Sequence, residues 1–274
     1  KGKMLERIPQ SELDDLVARV SGTGKFKRPA QFTQEGRTAV ISDIHSNYWA
    51  LKAVFENISE VGVDQILCAG DVIGYGPRPN ECCYLLQRLG GPTVMGNHEF
   101  GVLNQDYRNF DMYGNITVLW TASVLDKSSL TWLRSLYRSH GDHKKQLKMV
   151  HGYPEDKGDN PMSKIDVYLF PTDEIGKGKQ DKEYIEKYLS NSGVNILVTG
   201  HTHKPYILPV NGKYAINPGS VGQPRDGDLR ASYALIGDGE PRIIRVDYAV
   251  YETVWEIKKL FLPRYLADRL ADGK

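Results

Sequence analysis

Five short apolar runs in this 274-residue sequence each end in side chains that could bind a metal ion. Thr38-Ala-Val-Ile41 leads to Asp43 and His45, and Gln65-Ile-Leu-Cys-Ala69 leads to Asp71. Pro92-Thr-Val-Met95 leads to Asn97 and His98, Gln146-Leu-Lys-Met-Val150 to His151, and Asn195-Ile-Leu-Val-Thr199 to His201 and His203. Of the seven histidines, only His140 and His143 lie outside this set. With His98 set aside, imidazoles, carboxylates and one amide oxygen make a mixed N/O donor set suited to Mn, Fe, Zn, Co or Ni. Thiolate is absent from it, which disfavours structural zinc and iron–sulfur clusters. Asp43 and His45 lie two apart, so an extended backbone would aim both at one face, and His201 and His203 repeat the spacing.

Asp43, His45, Asp71, Asn97, His151, His201 and His203 are too many ligands for one ion that must keep an open position. They suit two ions that share Asp71. Two metals about 3.5–4 Å apart can ionise a bridging water and clamp both oxygens of an in-line displacement at phosphorus. The donor set therefore points to hydrolysis of a phosphate ester by a metal-bridging hydroxide.

The elements that must position these residues follow from the pattern. Strands ending in polar clusters, with helical periods between them, predict an α/β fold with substantial parallel pairing. In such sheets ligands gather beyond the carboxyl ends of the strands. Leu51, Val54, Phe55, Ile58 and Val61 form one helical stripe, and a second helix opens at Pro79 and Asn80. Strands are expected at 213–216, 231–236 and 242–246, antiparallel, with Asp238-Gly239 turning between the last two. Two helices split by Pro263 end the sequence. Residues 1–37 read as a helical appendage with a linker, its short helix capped at Ser11, and 38–274 as the catalytic domain. The 153–180 stretch reads as an irregular insertion, either a lid or a surface excursion.

Composition sets outer bounds. Thirty-five Lys and Arg balance 34 Asp and Glu, leaving a net charge of +1. That argues against a broad positive field holding nucleic acid, and no stable nucleic-acid complex is expected. With 40% hydrophobic residues the chain can bury a full core. No run approaches the roughly 18 apolar residues of a membrane span, so no membrane partner is expected. Three cysteines, two adjacent, argue against a disulfide framework and fit a cytoplasmic location. At least one of Cys82 and Cys83 reads as buried helix filler, and Trp120 and Trp132 read as core. Oligomeric state is left open.

In order, Asp-x-His, Gly-Asp, Gly-Asn-His-Glu, His-Gly and Gly-His-x-His resemble the motifs of the calcineurin-like metallophosphoesterase superfamily. The stretch Ile216-Asn-Pro-Gly-Ser-Val-Gly-Gln-Pro-Arg-Asp226 further resembles its small prokaryotic phosphodiesterase branch. The resemblance implies two packed mixed β-sheets flanked by helices, a four-layer αββα sandwich with two divalent transition-metal ions at the strand ends, manganese foremost. It also implies that Asp43, His45, Asp71 and His203 hold one ion, and Asp71, Asn97, His151 and His201 the other. His98 would stand over the phosphate as catalytic group, protonating the leaving alkoxide or stabilising the transition state. Asn97 could also bond a phosphate oxygen through its amide nitrogen.

One motif departs from the wider superfamily. Protein serine/threonine phosphatases and diadenosine tetraphosphatases carry Gly-Asp-x-Val-Asp-Arg-Gly, whereas this sequence reads Gly70-Asp-Val-Ile-Gly-Tyr-Gly76. Gly74 replaces the Asp that orients the histidine, and Tyr75 replaces a phosphate-binding Arg. Arg78 and Arg225 are then the candidate cations for the phosphate. The expected activity is hydrolysis of phosphodiesters or small phosphate esters. Alternatives are a protein phosphatase, a dinucleoside polyphosphate hydrolase, or a non-catalytic scaffold on the same fold.

Overall fold

The computed structural model describes residues 5–22, 36–108, 110–144, 146–154, 178–237 and 239–274. Two mixed β-sheets stack face to face. The first runs β2 (Gln65–Cys68), β1 (Thr38–Ile41), β8 (Ala231–Ile236), β9 (Arg242–Val246). The second runs β3 (Ser139–Asp142), β4 (Leu147–Val150), β5 (Ile196–Val198), β7 (Lys213–Asn217), β6 (Tyr206–Val210). β1 pairs β2 in parallel from Thr38↔Gln65 to Ile41↔Cys68, and β4, β5 and β7 form a parallel run.

Alternation along β1 builds the layers. Val40 faces the second sheet, in a cluster with Leu67, Leu147, Met149, Val198 and Ile216. Ala39 and Ile41 point the other way, into a helical layer. That layer includes α1 (Gln10–Gly22), α2 (Tyr48–Val61) and α3 (Pro79–Leu89). On the far side, Ile185 and Leu189 of α7 (Gly178–Asn191) pack on Leu197 and Ala215 of the second sheet. The sandwich is helix, sheet, sheet, helix, as the resemblance implied. α4 (Asn97–Asn104), α5 (Met112–Val124), α6 (Lys127–Arg134), α8 (Val250–Lys259) and α9 (Arg264–Asp272) complete the described elements.

Several local expectations are corrected. The helix of the first 37 residues does not stand apart, because Leu13, Leu16, Val17 and Val20 are buried in the main core against α2 and α3. It begins at Gln10, one residue before Ser11. Residues 92–95 form only isolated bridges, Thr93 to Cys68 and Val94 to Tyr137, where a strand was expected. β7 leaves the tail hairpin for the other sheet, parallel to β5, so only β8 and β9 pair antiparallel within that tail. Asp238, the first expected turn residue, lies outside the described residues, as do 23–35 of the linker and 155–177 of the insertion. Cys82 and Cys83 are both buried on α3, and Trp120 and Trp132 are partly buried. No described helix is long and apolar enough to cross a membrane.

Candidate metal centre

The loops after β1 and β2 continue the strand pairing beyond the sheet. Asp43 N donates to Gly70 O, His45 N to Asp71 O, and Ser46 N to Val72 O, each at 2.9 Å. Within these loops the backbone is not extended as expected. Asp43 (φ 53°), His45 (φ 49°), Asp71 (φ 52°), His201 (φ 68°) and His203 (φ 58°) all take the left-handed region. Residues with a Cβ rarely adopt it, and each such placement costs on the order of 1–3 kcal/mol unless the surroundings enforce it. Here that strain falls on the ligand candidates and turns their side chains inward.

All eight residues expected at the strand ends converge, and all are buried. Asp43 Oδ1 lies 3.4 Å from His203 Nε2 and 3.9 Å from His45 Nε2. Asp71 Oδ2 lies 3.2 Å from His151 Nε2 and 3.7 Å from His45 Nε2. Three overlapping groups place their ligand atoms within 4.8 Å of one another: Asp43/His45/His203, His45/Asp71/His98 and Asp71/His151/His201. Asn97 joins the last through Oδ1, 3.1 Å from His151 Nε2. Asp71 stands between the two ends.

Donor chemistry tests whether cations fit. A backbone carbonyl can only accept, so each ring nitrogen facing one carries a proton. His45 Nδ1 donates to Ile73 O (3.1 Å), His203 Nδ1 to Gln223 O (2.6 Å) and His151 Nδ1 to Ala69 O (2.7 Å). In the neutral rings every Nε2 is then a bare lone pair. His45 and His203 aim two of them at each other across 3.0 Å, beside a carboxylate. Lone pairs and carboxylates so packed repel unless a cation lies among them, and a carbonyl-anchored imidazole is the usual state of a metal-ligating histidine. The residues fit divalent metal.

Burial dominates the electrostatics. It pushes Asp43 up to about 7, holds His98 down at about 4 and His201 at about 3, and drives His45 and His203 well below the usual imidazole range. Against the lowering effect of its own burial, Asp71 and Asp43 raise His151 to about 10. Against its own burial, Asp71 is held well below the usual carboxylate range, chiefly by His151. Near neutral pH His45, His98, His201 and His203 are therefore neutral rings, whereas His151 carries a proton against Asp71 that a cation bound there would displace.

The remaining sequence candidates separate. Tyr75 and Arg225 line a cavity of about 280 Å³ that opens over Asp71, Asn97, His98, His201 and His203. Burial raises the Tyr75 phenol to about 12. Arg78 does not line it. Its guanidinium is bound by Glu256 (2.6 and 2.9 Å) and Glu81 (3.0 Å), so it is a buried structural cation and not a phosphate ligand.

Two residues that sequence reasoning missed matter here. Glu99 accepts from Asp71 N (2.9 Å), Ile73 N (3.0 Å) and Gly96 N (2.8 Å), tying two motif loops together. Its place in the Gly-Asn-His-Glu run was the available signal. Arg269, on α9, lines the cavity without any motif to mark it.

Comparison with known proteins agrees with this geometry. A model of the calcineurin-like phosphoesterase superfamily domain matches residues 37–237. The uncharacterised protein MJ0912 of Methanocaldococcus jannaschii is 37% identical over 254 residues, covering 86% of this chain and 98% of its own. A crystal structure of a metallophosphoesterase from Sphaerobacter thermophilus superposes with TM-score 0.68 at 31% identity, covering 87% of this chain and 99% of its own. The symmetrical bis(5'-nucleosyl)-tetraphosphatase of Psychromonas ingrahamii is 30% identical over 121 residues, 42% of this chain and 43% of that protein. Motifs, sandwich and family model coincide: the chain belongs to the calcineurin-like phosphoesterase superfamily.

Proposed function

We propose that this chain hydrolyses phosphodiesters or small phosphate esters by direct attack of water on phosphorus, using two divalent transition-metal ions, manganese foremost. The observation that carries this reading is the convergence of Asp43, His45, Asp71, Asn97, His151, His201 and His203 beside His98 under one cavity. Bound cations would supply Lewis acidity, activating water at neutral pH and offsetting phosphate charge. Asp43, His45 and His203 would hold one, Asn97, His151 and His201 the other, and Asp71 both.

The chain's other groups act on the substrate. Asn97 turns Oδ1 to His151, which leaves its amide nitrogen to donate to a phosphate oxygen. Arg225 supplies charge from the lining of the same cavity. His98 protonates the leaving oxygen. Burial, helped by the charges of Arg225 and His151, keeps its ring neutral, and the negative charge of a bound phosphate favours its protonated form. No serine, threonine or cysteine lines the cavity among the described residues, which supports attack by water without a covalent phosphoenzyme. The buried free thiols of Cys68, Cys82 and Cys83 support a reducing compartment such as the cytoplasm.

The Psychromonas relative favours a second reading, cleavage of a dinucleoside polyphosphate. Gly74 and Tyr75, in place of the Asp and Arg of that group's motif, weigh against it. The complete ligand set weighs against a non-catalytic scaffold. The purified protein with manganese is expected to hydrolyse bis(p-nitrophenyl) phosphate faster than phosphopeptides or diadenosine tetraphosphate. Asp71→Asn should lower the rate by about 10³-fold or more. An Asp71→Asn protein as active as the parent after chelation and reloading would refute the mechanism.

A further inference from the structure

The cavity has an outer wall that the hydrolytic chemistry does not use. α9 brings Tyr265 and Arg269 to it, and the N-cap of α5 brings Asp111. Both cavity-lining arginines are partly buried. Arg225 lies beside the ligand candidates, its N donating to His203 O at 3.4 Å, and Arg269 comes from α9 with Tyr265.

Each guanidinium rests on an aromatic face. Arg225 Cζ is 5.8 Å from the Tyr75 ring centroid, and Arg269 Cζ is 5.4 Å from that of Tyr265. Tyr265 in turn stacks on Tyr113 at 4.4 Å. A guanidinium stacked on a ring keeps its in-plane N–H groups free at the edge, where a phosphate can take two at once. Arg225 is steadied through Nε and Nη2 on Gln223 Oε1 (3.2 and 2.7 Å). Arg269 is steadied through Nε on the Lys274 backbone oxygen (2.6 Å).

Among the described residues neither arginine pairs with an Asp or Glu side chain. The wall's one carboxylate, Asp111, spends Oδ1 on Gly114 N (2.7 Å) as a helix cap. Two like charges thus share one small cavity, and burial together with Arg225 pulls the Arg269 guanidinium down. An arrangement so costly is relieved by a bound anion.

We infer that Arg269, with Arg225 shared between the two phosphates, forms a subsite for a second phosphate group, so that the preferred substrate is a phosphate ester carrying a further phosphate beside the scissile one. The choice of ester rests on the hydrolase reading above, whereas the anion subsite does not. The test uses matched ligands that differ by one phosphate. The p-nitrophenyl ester of thymidine 5′-phosphate is compared with its 3′-phosphorylated form on the manganese-loaded protein. In parallel, binding of thymidine 5′-phosphate and thymidine 3′,5′-bisphosphate is measured by calorimetry.

The added phosphate is expected to raise both kcat/KM and affinity by about tenfold or more, as for a charge-assisted contact. In Arg269→Gln the ratio between matched ligands should fall to about one and in Arg269→Lys to an intermediate value, because an ammonium keeps the charge without the planar fork, while the distant Arg264→Gln should keep the parent ratio. A ratio of one in the parent, or a ratio unchanged in Arg269→Gln, overturns the subsite. If neither ester is cleaved but the bisphosphate still binds tighter through Arg269, the hydrolase reading fails and the subsite stands.

Discussion

Glu99 holds Asp71 from behind. Its Oε2 accepts the Asp71 backbone N–H at 2.9 Å, while Asp71 Oδ1 accepts the His98 N–H at 2.9 Å. The carboxylate expected to face two cations is thus fixed through its own backbone by one residue of α4 and through its side chain by another. Gly96 completes the contact, since a Cβ there would collide with the Asp71 carboxylate.

Because Glu99 is buried and accepts three backbone N–H groups, an amide in its place would turn a donor toward donors. Glu99→Gln is expected to destabilise the fold by about 1–3 kcal/mol and to weaken manganese binding by about 10–100-fold. Denaturant unfolding and calorimetric titration read the two effects. Unchanged metal affinity would show that Glu99 shapes the loops without positioning Asp71.

Gly74 marks a different way of holding the catalytic histidine. Its φ is +89°, and a Cβ there would lie far inside van der Waals contact with His98 Nδ1. That buried nitrogen has no hydrogen-bond partner among the described residues. The ring is steered by aromatic contacts instead, with Tyr75 at 4.5 Å, His45 at 4.7 Å and Phe110 at 4.9 Å between centroids. A carboxylate at position 74 has no room to do that task. Gly74→Ala should therefore lower kcat by about 10²-fold, with a smaller change in KM, because it displaces the ring over the phosphate. Steady-state kinetics on a phosphodiester decides this, and a kcat within twofold of the parent would show that His98 tolerates displacement.

The ligand residues were legible because each follows a run of β-branched and apolar residues, a pattern that local chemistry alone produces. β3 was not, since Ser139-His-Gly-Asp142 is a polar edge strand whose partner, β4, is what makes it a strand. The β-branched Thr93 and Val94 made residues 92–95 look like a strand, yet Val94 and Met95 find their partners on opposite sides, at Cys68 and Tyr137. Left-handed backbone at Asp43 and His45 was invisible too, because spacing alone cannot tell an extended pair from two tight turns. Arg269 reaches the cavity only through the docking of α9, a tertiary event with no motif.

Arg78 shows the same gap from the other side, since its partner Glu256 is 178 residues away. Both side chains are buried, with Arg78 Nη2 2.6 Å from Glu256 Oε1. Removing one partner strands the other charge in the core, which typically costs about 3–5 kcal/mol. Glu256→Gln should lose close to that in denaturant unfolding. The metal-loaded kcat of the folded fraction should stay near the parent value, as Arg78 lies outside the cavity. A fall in kcat/KM exceeding tenfold with stability intact would return Arg78 to the substrate.

The docking of α1 should be visible in the pH dependence of stability. Glu12 Oε1 accepts from Lys52 Nζ and Tyr48 Oη, both at 2.8 Å. The Lys52 hydrogen bond, opposed by modest burial and helped by Tyr48, holds the Glu12 carboxyl below its ordinary value of 4.5. A carboxyl depressed in the folded state adds stability above its unfolded pKa, and this is lost as pH falls through the folded value. Glu12→Gln should therefore be less stable than the parent at pH 7, and the difference should shrink as pH falls below about 4.5. The pair is partly exposed, so added salt should shrink the difference as well. Unfolding midpoints of the two proteins measured from pH 7 to pH 3 at low and high salt test this. A gap that persists at the acid end would mean that Glu12 contributes by packing and neutral hydrogen bonding, with its charge irrelevant to how α1 is held.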